Sequence, residues 1–449
     1  MATVTHQSPE LLRYYAEGQL AHKDPNALLK KGVWLYFLLL IFEGALRKWV
    51  LPGLATPLLI VRDPLALWLT ILAWKRNLLP DNIYLSGMLL LSFISFITTL
   101  LFGHGNLVVA IYGVRIIVLH FPVIFVIGRV FTSADVHKMG KATLWITIPM
   151  AVLIALQFYS PQSAWVNRGV GGDMEGAGFN GGALGYFRPP GTFSFTTGTT
   201  LFFSFAGCYI LYFWLQSSGS NKLVLLAATA GLLAAIPLSI SRGLLFQVLV
   251  SCLFVVLASL RKPKYLLNLI VAGIGILMAL LLLSNTEFFQ TAIEAFAMRF
   301  DAASDTEGGV QGTLVERFLG ELLSSITNSA QLPFFGYGIG LGTNAGSKLL
   351  TGEVTFLVAE GEWGRIIGEM GVLLGLSVVF LRIGLVIKIA GASYARILQN
   401  DLLPWMLLSF GFLNVMQGQW GTPTSLGFSV MIGGLMIASL RPAPVAGRY

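Results

Sequence analysis

The chain has 449 residues, of which 55% are hydrophobic and only 11% charged, with a formal net charge of +8 and a mean hydropathy of +0.76. A soluble domain carries about 25% charged residues, so a water-facing globular protein is excluded and lipid is the solvent for most of the surface. In such a chain a basic balance reads first as lysine and arginine marking cytoplasmic loops, not as a nucleic-acid surface.

Residues 1–32 are polar, lack an apolar core and close on Lys30 and Lys31. They read as a cytoplasmic tail rather than a signal peptide. A bilayer span takes roughly 20 apolar residues. Runs of that kind fall at 33–50, 54–74, 83–103, 107–130, 142–159, 191–216, 222–240, 241–260, 265–284, 362–387, 402–418 and 424–440. The expectation is an all-α, polytopic membrane helical bundle of about twelve transmembrane helices, forming a single domain over 1–449. Cys208 and Cys252 sit inside apolar runs and read as small core residues.

Orientation follows from the short loops. Lys30, Lys31, Lys75, Arg76, Arg129, Lys138, Lys141, Lys222, Arg261, Lys262, Lys264, Arg382, Lys388, Arg396, Arg441 and Arg448 alternate onto one face, which is therefore read as cytoplasmic together with both termini. Arg47 and Lys48 break the pattern. The opposite, periplasmic face carries a glycine-rich loop at 160–190 and a large loop at 285–361. Segments 286–300 and 313–328 read as helices within the latter. Loops of this length are often functional.

Motifs of soluble enzymes are missing: no HExxH, paired CxxC, GxxxxGK[ST] or GxSxG occurs, and the five histidines do not resemble a metal site. Neither a metal nor another cofactor is expected. Arginines on the outer side are the strongest chemical signal. Arg188 stands where the first long loop re-enters the membrane. Arg242 stands at a tight reversal between two spans. Arg115 lies within an apolar span, where insertion costs about 2.5–3.5 kcal/mol and a wet cavity or a partner is usual. A guanidinium fork matches phosphate oxygens, so several around one cavity suit a pyrophosphate. The competing reading for each is a snorkelling or salt-bridged side chain.

Acidic residues gather at Glu360, Glu362 and Glu369. Glu362, Arg365 and Glu369 share one helix face by their spacing. A partly buried carboxylate there suits a general base; the alternative is an ion-pair set that neutralises itself. Glu43 with Arg47, and Arg62 with Asp63, read as structural pairs. The glycine run Gly336, Gly338, Gly340 and Gly342 is a weak phosphate-loop signal, and a turn able to approach another group closely.

Four segments in this order resemble the O-antigen ligase and O-antigen polymerase superfamily. They are Arg188 to Phe193, Ser239 to Gly243, Pro333 to Gly340, and the stretch from Glu362 through Arg365 and Glu369 to Gly371. The stretch from Tyr112 and Arg115 through Pro149 to Asn167 is similar as well, so the likeness covers about residues 112–375. It implies a GT-C-like membrane glycosyltransferase of the bacterial inner membrane with a large periplasmic loop. Such proteins move glycan from an undecaprenyl diphosphate carrier to an acceptor hydroxyl without a nucleotide sugar or a required metal. The resemblance further implies diphosphate binding by Arg188 and Arg242, with Arg115 and Arg317 at similar positions. Ligases of the family carry a histidine where this chain has Glu360 and Glu362, which favours polymerase over ligase.

The expected activity is therefore polymerisation of lipid-linked oligosaccharide repeat units into exopolysaccharide or O-antigen. Glu362 or Glu360 would accept the proton, Arg365, Glu369 and Tyr186 would support the site, and Phe187, Trp363 and Trp420 would be candidates for stacking on sugar or prenyl carbon. Expected partners are the lipid-linked oligosaccharide, a glycan acceptor, membrane lipid, and a chain-length regulator or flippase. Ligation of finished glycan to lipid A core or protein is the alternative within the class. A lipid-linked oligosaccharide flippase, or a structural part of an export machine, is the alternative outside it.

Overall fold

The computed structural model of the protein describes residues 24–174, 181–216, 219–262, 290–299, 323, 327, 332–352, 358–359 and 361–441. The expected span at 265–284, nearly all of the expected helix at 313–328, and Arg317 and Glu360 lie outside the described residues. The described helices are α1 Ala27–Ala45, α2 Arg62–Lys75, α3 Ile83–Phe102, α4 Leu107–Arg115, α5 Phe121–Val130, α6 Ser133–Tyr159, α7 Thr196–Leu215, α8 Lys222–Leu238 and α9 Arg242–Arg261. They continue as α10 Asn344–Thr351, α11 Glu362–Leu398, α12 Leu403–Gln417 and α13 Pro423–Ser439. Residues 290–299 are also helical, within the surface helix expected at 286–300.

Local chemistry sets the helix starts. Asn82, Asn106, Asn221 and Ser241 cap α3, α4, α8 and α9 with side-chain oxygens, satisfying amides that the first turn leaves open. Thr132 and Asp135 form a reciprocal capping box on α6. Pro122, Pro404 and Pro423 stand in the first turns of α5, α12 and α13, where a missing N–H costs nothing. Pro122 also explains the wide π-type turn at Ile116–His120 that joins α4 to α5, because its ring disfavours a regular helix on its N-terminal side.

The protein is a membrane protein by length and apolarity of its helices. Among the described residues, seven helical stretches are long and apolar enough to cross a bilayer: Pro57–Lys75, Ile83–Phe102, Leu107–Val130, Ser133–Tyr159, Thr196–Leu215, Arg242–Arg261 and Glu362–Leu398. Three shorter apolar helices, α8, α12 and α13, pack among them. Large apolar side chains such as Phe93, Leu101, Leu260, Phe380 and Ile387 stand outward on the helix flanks, as a lipid-facing surface requires. At the centre, α13 presents small residues to α5. A Cβ on Gly434 would lie 2.5 Å from Ile127, and one on Gly128 would lie 2.6 Å from Ile437. Close approach at glycine is how membrane helices gain packing contacts.

Hydrogen bonds sort the helix ends into two sets. On one side, Lys30 pairs with Asp24 and Asp135, Arg76 reaches the Pro25 carbonyl, Gln216 and Lys262 reach Asn400, and Arg441 reaches the Arg129 carbonyl. On the other, Arg47 donates to Ser194 at 2.8 Å, Lys48 to the Gly191 carbonyl at 2.6 Å, and His104 contacts the Ile339 carbonyl at 3.2 Å. Arg47 and Lys48 thus break the sequence rule because they tie down the 191–194 loop.

Residues 181–187 form a feature absent from the sequence reading, a short hairpin. β1 Gly181–Ala183 pairs antiparallel with β2 Tyr186–Phe187. Its two turn residues, Leu184 and Gly185, both have positive φ, 54° and 80°, the geometry that matches a two-residue turn to the strand twist.

Candidate functional site

The hairpin delivers Arg188. Tyr186 is held by a near-parallel stack on Phe158, 4.5 Å between centroids, and Pro189 and Pro190 behind the arginine are buried. The Arg188 Nε lies 3.5 Å from the Ser239 carbonyl, at the outer edge of hydrogen bonding. Ser239 opens the α8–α9 reversal, where Ile240 has φ 46°, a strained conformation for a β-branched residue. Ser241 is fixed by Thr200 at 2.8 Å, and Arg242 follows as the first residue of α9. From the helical segment 290–299, Arg299 donates to the Gly181 carbonyl at 3.2 Å.

Arg299 thus bonds to the hairpin that leads into Arg188, and Arg242 lies close enough to Arg188 to act on it electrostatically. Burial first, then Arg299 and Arg242, push Arg188 down to about 10 from its ordinary value. No carboxylate among the described residues forms an ion pair with Arg188. Both named electrostatic neighbours are cationic, and an anion bound there would relieve the repulsion.

A second charged set lies at the start of α11. Glu362 accepts from Arg365 Nη2 at 2.9 Å and Arg382 Nη1 at 2.7 Å on one oxygen. Its other oxygen accepts from Arg365 Nε at 2.9 Å and the Trp420 amide at 3.1 Å. Arg365 also donates to Glu369 at 2.6 Å. The side chains of this set are almost wholly buried, and they line a narrow cavity with Met88, Ile339 and Met370.

Glu362, expected as a proton acceptor, is engaged here by four donors. Both oxygens already accept two donors each, which uses up the lone-pair sites of a carboxylate. The self-neutralising alternative for Glu362, Arg365 and Glu369 is the one found. Trp363 and Trp420 are 1% and 2% exposed, so neither offers a ring face to a sugar. Trp420 instead lies under the Arg382 guanidinium, 3.8 Å from its centroid.

Arg382 was expected in a cytoplasmic loop and is instead fully buried in this set. Gly371, with φ 76° and ψ 169°, breaks α11, so residues 362–370 double back beside 372–398. The signal available in sequence was the one noted for Arg115, an arginine inside an apolar run. The glycine loop docks on the same corner. Gly342 N–H donates to Glu369 Oε1 at 2.7 Å, and the amides of Tyr337 and Gly338 donate to the carbonyls of Gly368 and Glu369. Its chemistry is backbone packing.

Arg115 is engaged in an ion pair. It donates to Asp63 at 2.7 and 2.5 Å and stacks on Tyr112, 3.9 Å from the centroid. Asp63 further meets His120 at 2.9 Å, and His120 meets the Tyr36 hydroxyl at 2.9 Å. Arg62 is bonded to Glu43 at 3.0 Å rather than to Asp63, correcting that expected pair, while Glu43 and Arg47 stand 3.8 Å apart. Arg115 is a buried ion pair, the competing reading given above.

No protein-family model matches the chain, and no curated protein matches it.

Proposed function

We propose that this protein polymerises lipid-linked oligosaccharide units at the outer face of the bacterial inner membrane, as a bundle of about twelve spans with both termini cytoplasmic. The donor is a glycan on undecaprenyl diphosphate. Arg188 and Arg242 bind the diphosphate, and Arg299 joins them as the third cation. The observation that carries this reading is the convergence of Arg188, Arg242 and Arg299 on one hairpin at the end of a long loop.

An acceptor hydroxyl attacks the anomeric carbon and a new glycosidic C–O bond forms. The C–O bond to the diphosphate breaks, the diphosphate keeps the electron pair, and the hydroxyl proton is released to water. Fixed guanidinium charges stabilise the leaving diphosphate as negative charge grows on it, the kind of preorganised stabilisation that contributes most in a water-poor site. Glu362 has no part in the proton transfer.

The test is an in vitro reaction with labelled lipid-linked repeat units and the protein in lipid nanodiscs. A ladder of products is expected, and Arg188→Ala abolishes it. A single transfer to lipid A core or protein would assign the protein as a ligase. Lipid-linked units accumulating on the inner side of Arg188→Ala cells would assign a flippase.

A further inference from the structure

Arg188 is held only weakly by its own side chain. Its Nε stands 3.5 Å from the Ser239 carbonyl, at the limit of a hydrogen bond. Its place is set instead by the backbone on either side. The hairpin precedes it. After it, Pro189 and Pro190 lock φ at two successive positions, and the Pro189 carbonyl accepts from the Thr199 hydroxyl at 3.1 Å. A shift of the peptide at Gly191 therefore passes along a stiff arm to Arg188.

Gly191 is clamped by two side chains. Its N–H donates to Gln157 Oε1 at 2.8 Å, and Gln157 Nε2 donates to its carbonyl at 3.3 Å. Lys48 donates to the same carbonyl at 2.6 Å. Lys48 comes from the π-type turn Leu46–Val50 that follows α1, and such turns occur mostly at functional sites. Gly191 itself has φ 58°, and a Cβ there would meet Met150 Sδ at 2.9 Å.

The buried ammonium is the unusual part of this clamp. Lys48 is 1% exposed. Its described partners are the Gly191 carbonyl and the Trp49 ring, 4.5 Å from the centroid, and neither is a carboxylate. Taking a charge out of water without a counter-charge is expensive. Neutral groups hold the neighbouring turn without that cost, as where the Thr192 hydroxyl donates to the Ile41 carbonyl at 2.6 Å. A charged donor makes a hydrogen bond roughly twice as strong as a neutral one, and this one falls on the arm that carries Arg188.

We propose that Lys48 is a positioning residue for Arg188, acting through the Gly191 peptide to hold the guanidinium where an anion meets it. The proposal rests on the reading of Arg188 as a diphosphate ligand, and it adds the residue that aims it.

The probe is inorganic pyrophosphate, titrated by calorimetry against the full chain in nanodiscs. Lys48→Met is expected to weaken binding about ten-fold, with a Tm no lower than wild type, because it removes a buried charge and strands none. Lys48→Gln, which keeps a donor, recovers part of the affinity. In an Arg188→Gln background Lys48→Met causes no further loss, since its effect runs through Arg188. Wild-type affinity in Lys48→Met overturns the proposal even where the ladder of products forms normally. A Lys48→Met protein that unfolds, or whose loss simply adds to that of Arg188→Gln, assigns Lys48 to the fold and overturns it equally. Lys48-dependent pyrophosphate binding without any polymerisation upholds the positioning role and refutes the polymerase reading alone.

Discussion

Arg382 Nη1 lies 2.7 Å from Glu362 Oε1 although the two residues are 20 positions apart on what the chain presents as one helix. A straight helix would separate them by about 30 Å. The reversal at Gly371 brings them together, and the Val415 and Gly418 carbonyls accept the remaining arginine donors at 2.9 and 3.0 Å.

Removing one partner of such a pair strands a buried charge. Arg382→Ala is therefore expected to destabilise the protein by about 3–5 kcal/mol, seen as a lowered Tm and yield in nanodiscs. The double variant Arg382→Met with Glu362→Gln recovers part of that loss. Equal losses from the single and double variants would contradict the pairing.

The same logic separates Arg115 from the cluster around Arg188. Arg115→Ala and Asp63→Asn are each expected to destabilise strongly. Their combination should fall short of the sum by about 0.5–3 kcal/mol. Strict additivity in thermal unfolding would return Arg115 to the list of ligand-binding candidates.

Arg188 has a pH signature. Burial, Arg299 and Arg242 lower it to about 10 in the folded protein, whereas the unfolded chain keeps that proton into the ordinary arginine range. Between those limits the unfolded state binds more protons, so this group makes stability rise with pH there and opposes folding at neutral pH. Two outcomes follow at pH 7. Arg188→Gln without ligand has a higher Tm than wild type. Inorganic pyrophosphate at a hundred-fold excess over its Kd stabilises wild type by about 2.7 kcal/mol, and Arg188→Gln much less. A Tm indifferent to pyrophosphate would count against the cluster as an anion site.

Gly340 has φ 95°, and a Cβ there would sit 2.3 Å from the Val109 carbonyl. Gly340→Ala is expected to cost about 2 kcal/mol or more and to loosen the 336–342 loop, checked by hydrogen exchange at the amides of 337–342. Unchanged protection would mean that the loop does not depend on this contact.

The seven long apolar helices were legible because lipid demands long apolar runs, and those runs show in any window. The charged interior was not. Arg62 and Asp63 look like a pair in sequence, yet adjacent positions on a helix point apart, so each found a partner elsewhere, Glu43 and Arg115. Arg382 read as a loop charge although it stands inside the apolar run 362–387, the same signal that marked Arg115. Arg188 and Arg242 stood out in sequence as arginines at a loop end and at a tight reversal between apolar runs. Their meeting with Arg299 depends on a hairpin whose turn residues, Leu184 and Gly185, carry a weak signal amid many glycines.

The reversal at Gly371 has a consequence for biogenesis. Residues 362–370 carry two carboxylates and one guanidinium, a set the lipid interior rejects until Arg382 has been synthesised. The Trp420 amide, the last donor to Glu362, is made later still. The stretch from Glu362 to Trp420 must therefore settle into the bilayer as one folding unit, and a nascent chain truncated before residue 420 would present the insertion machinery with an incompletely bonded carboxylate.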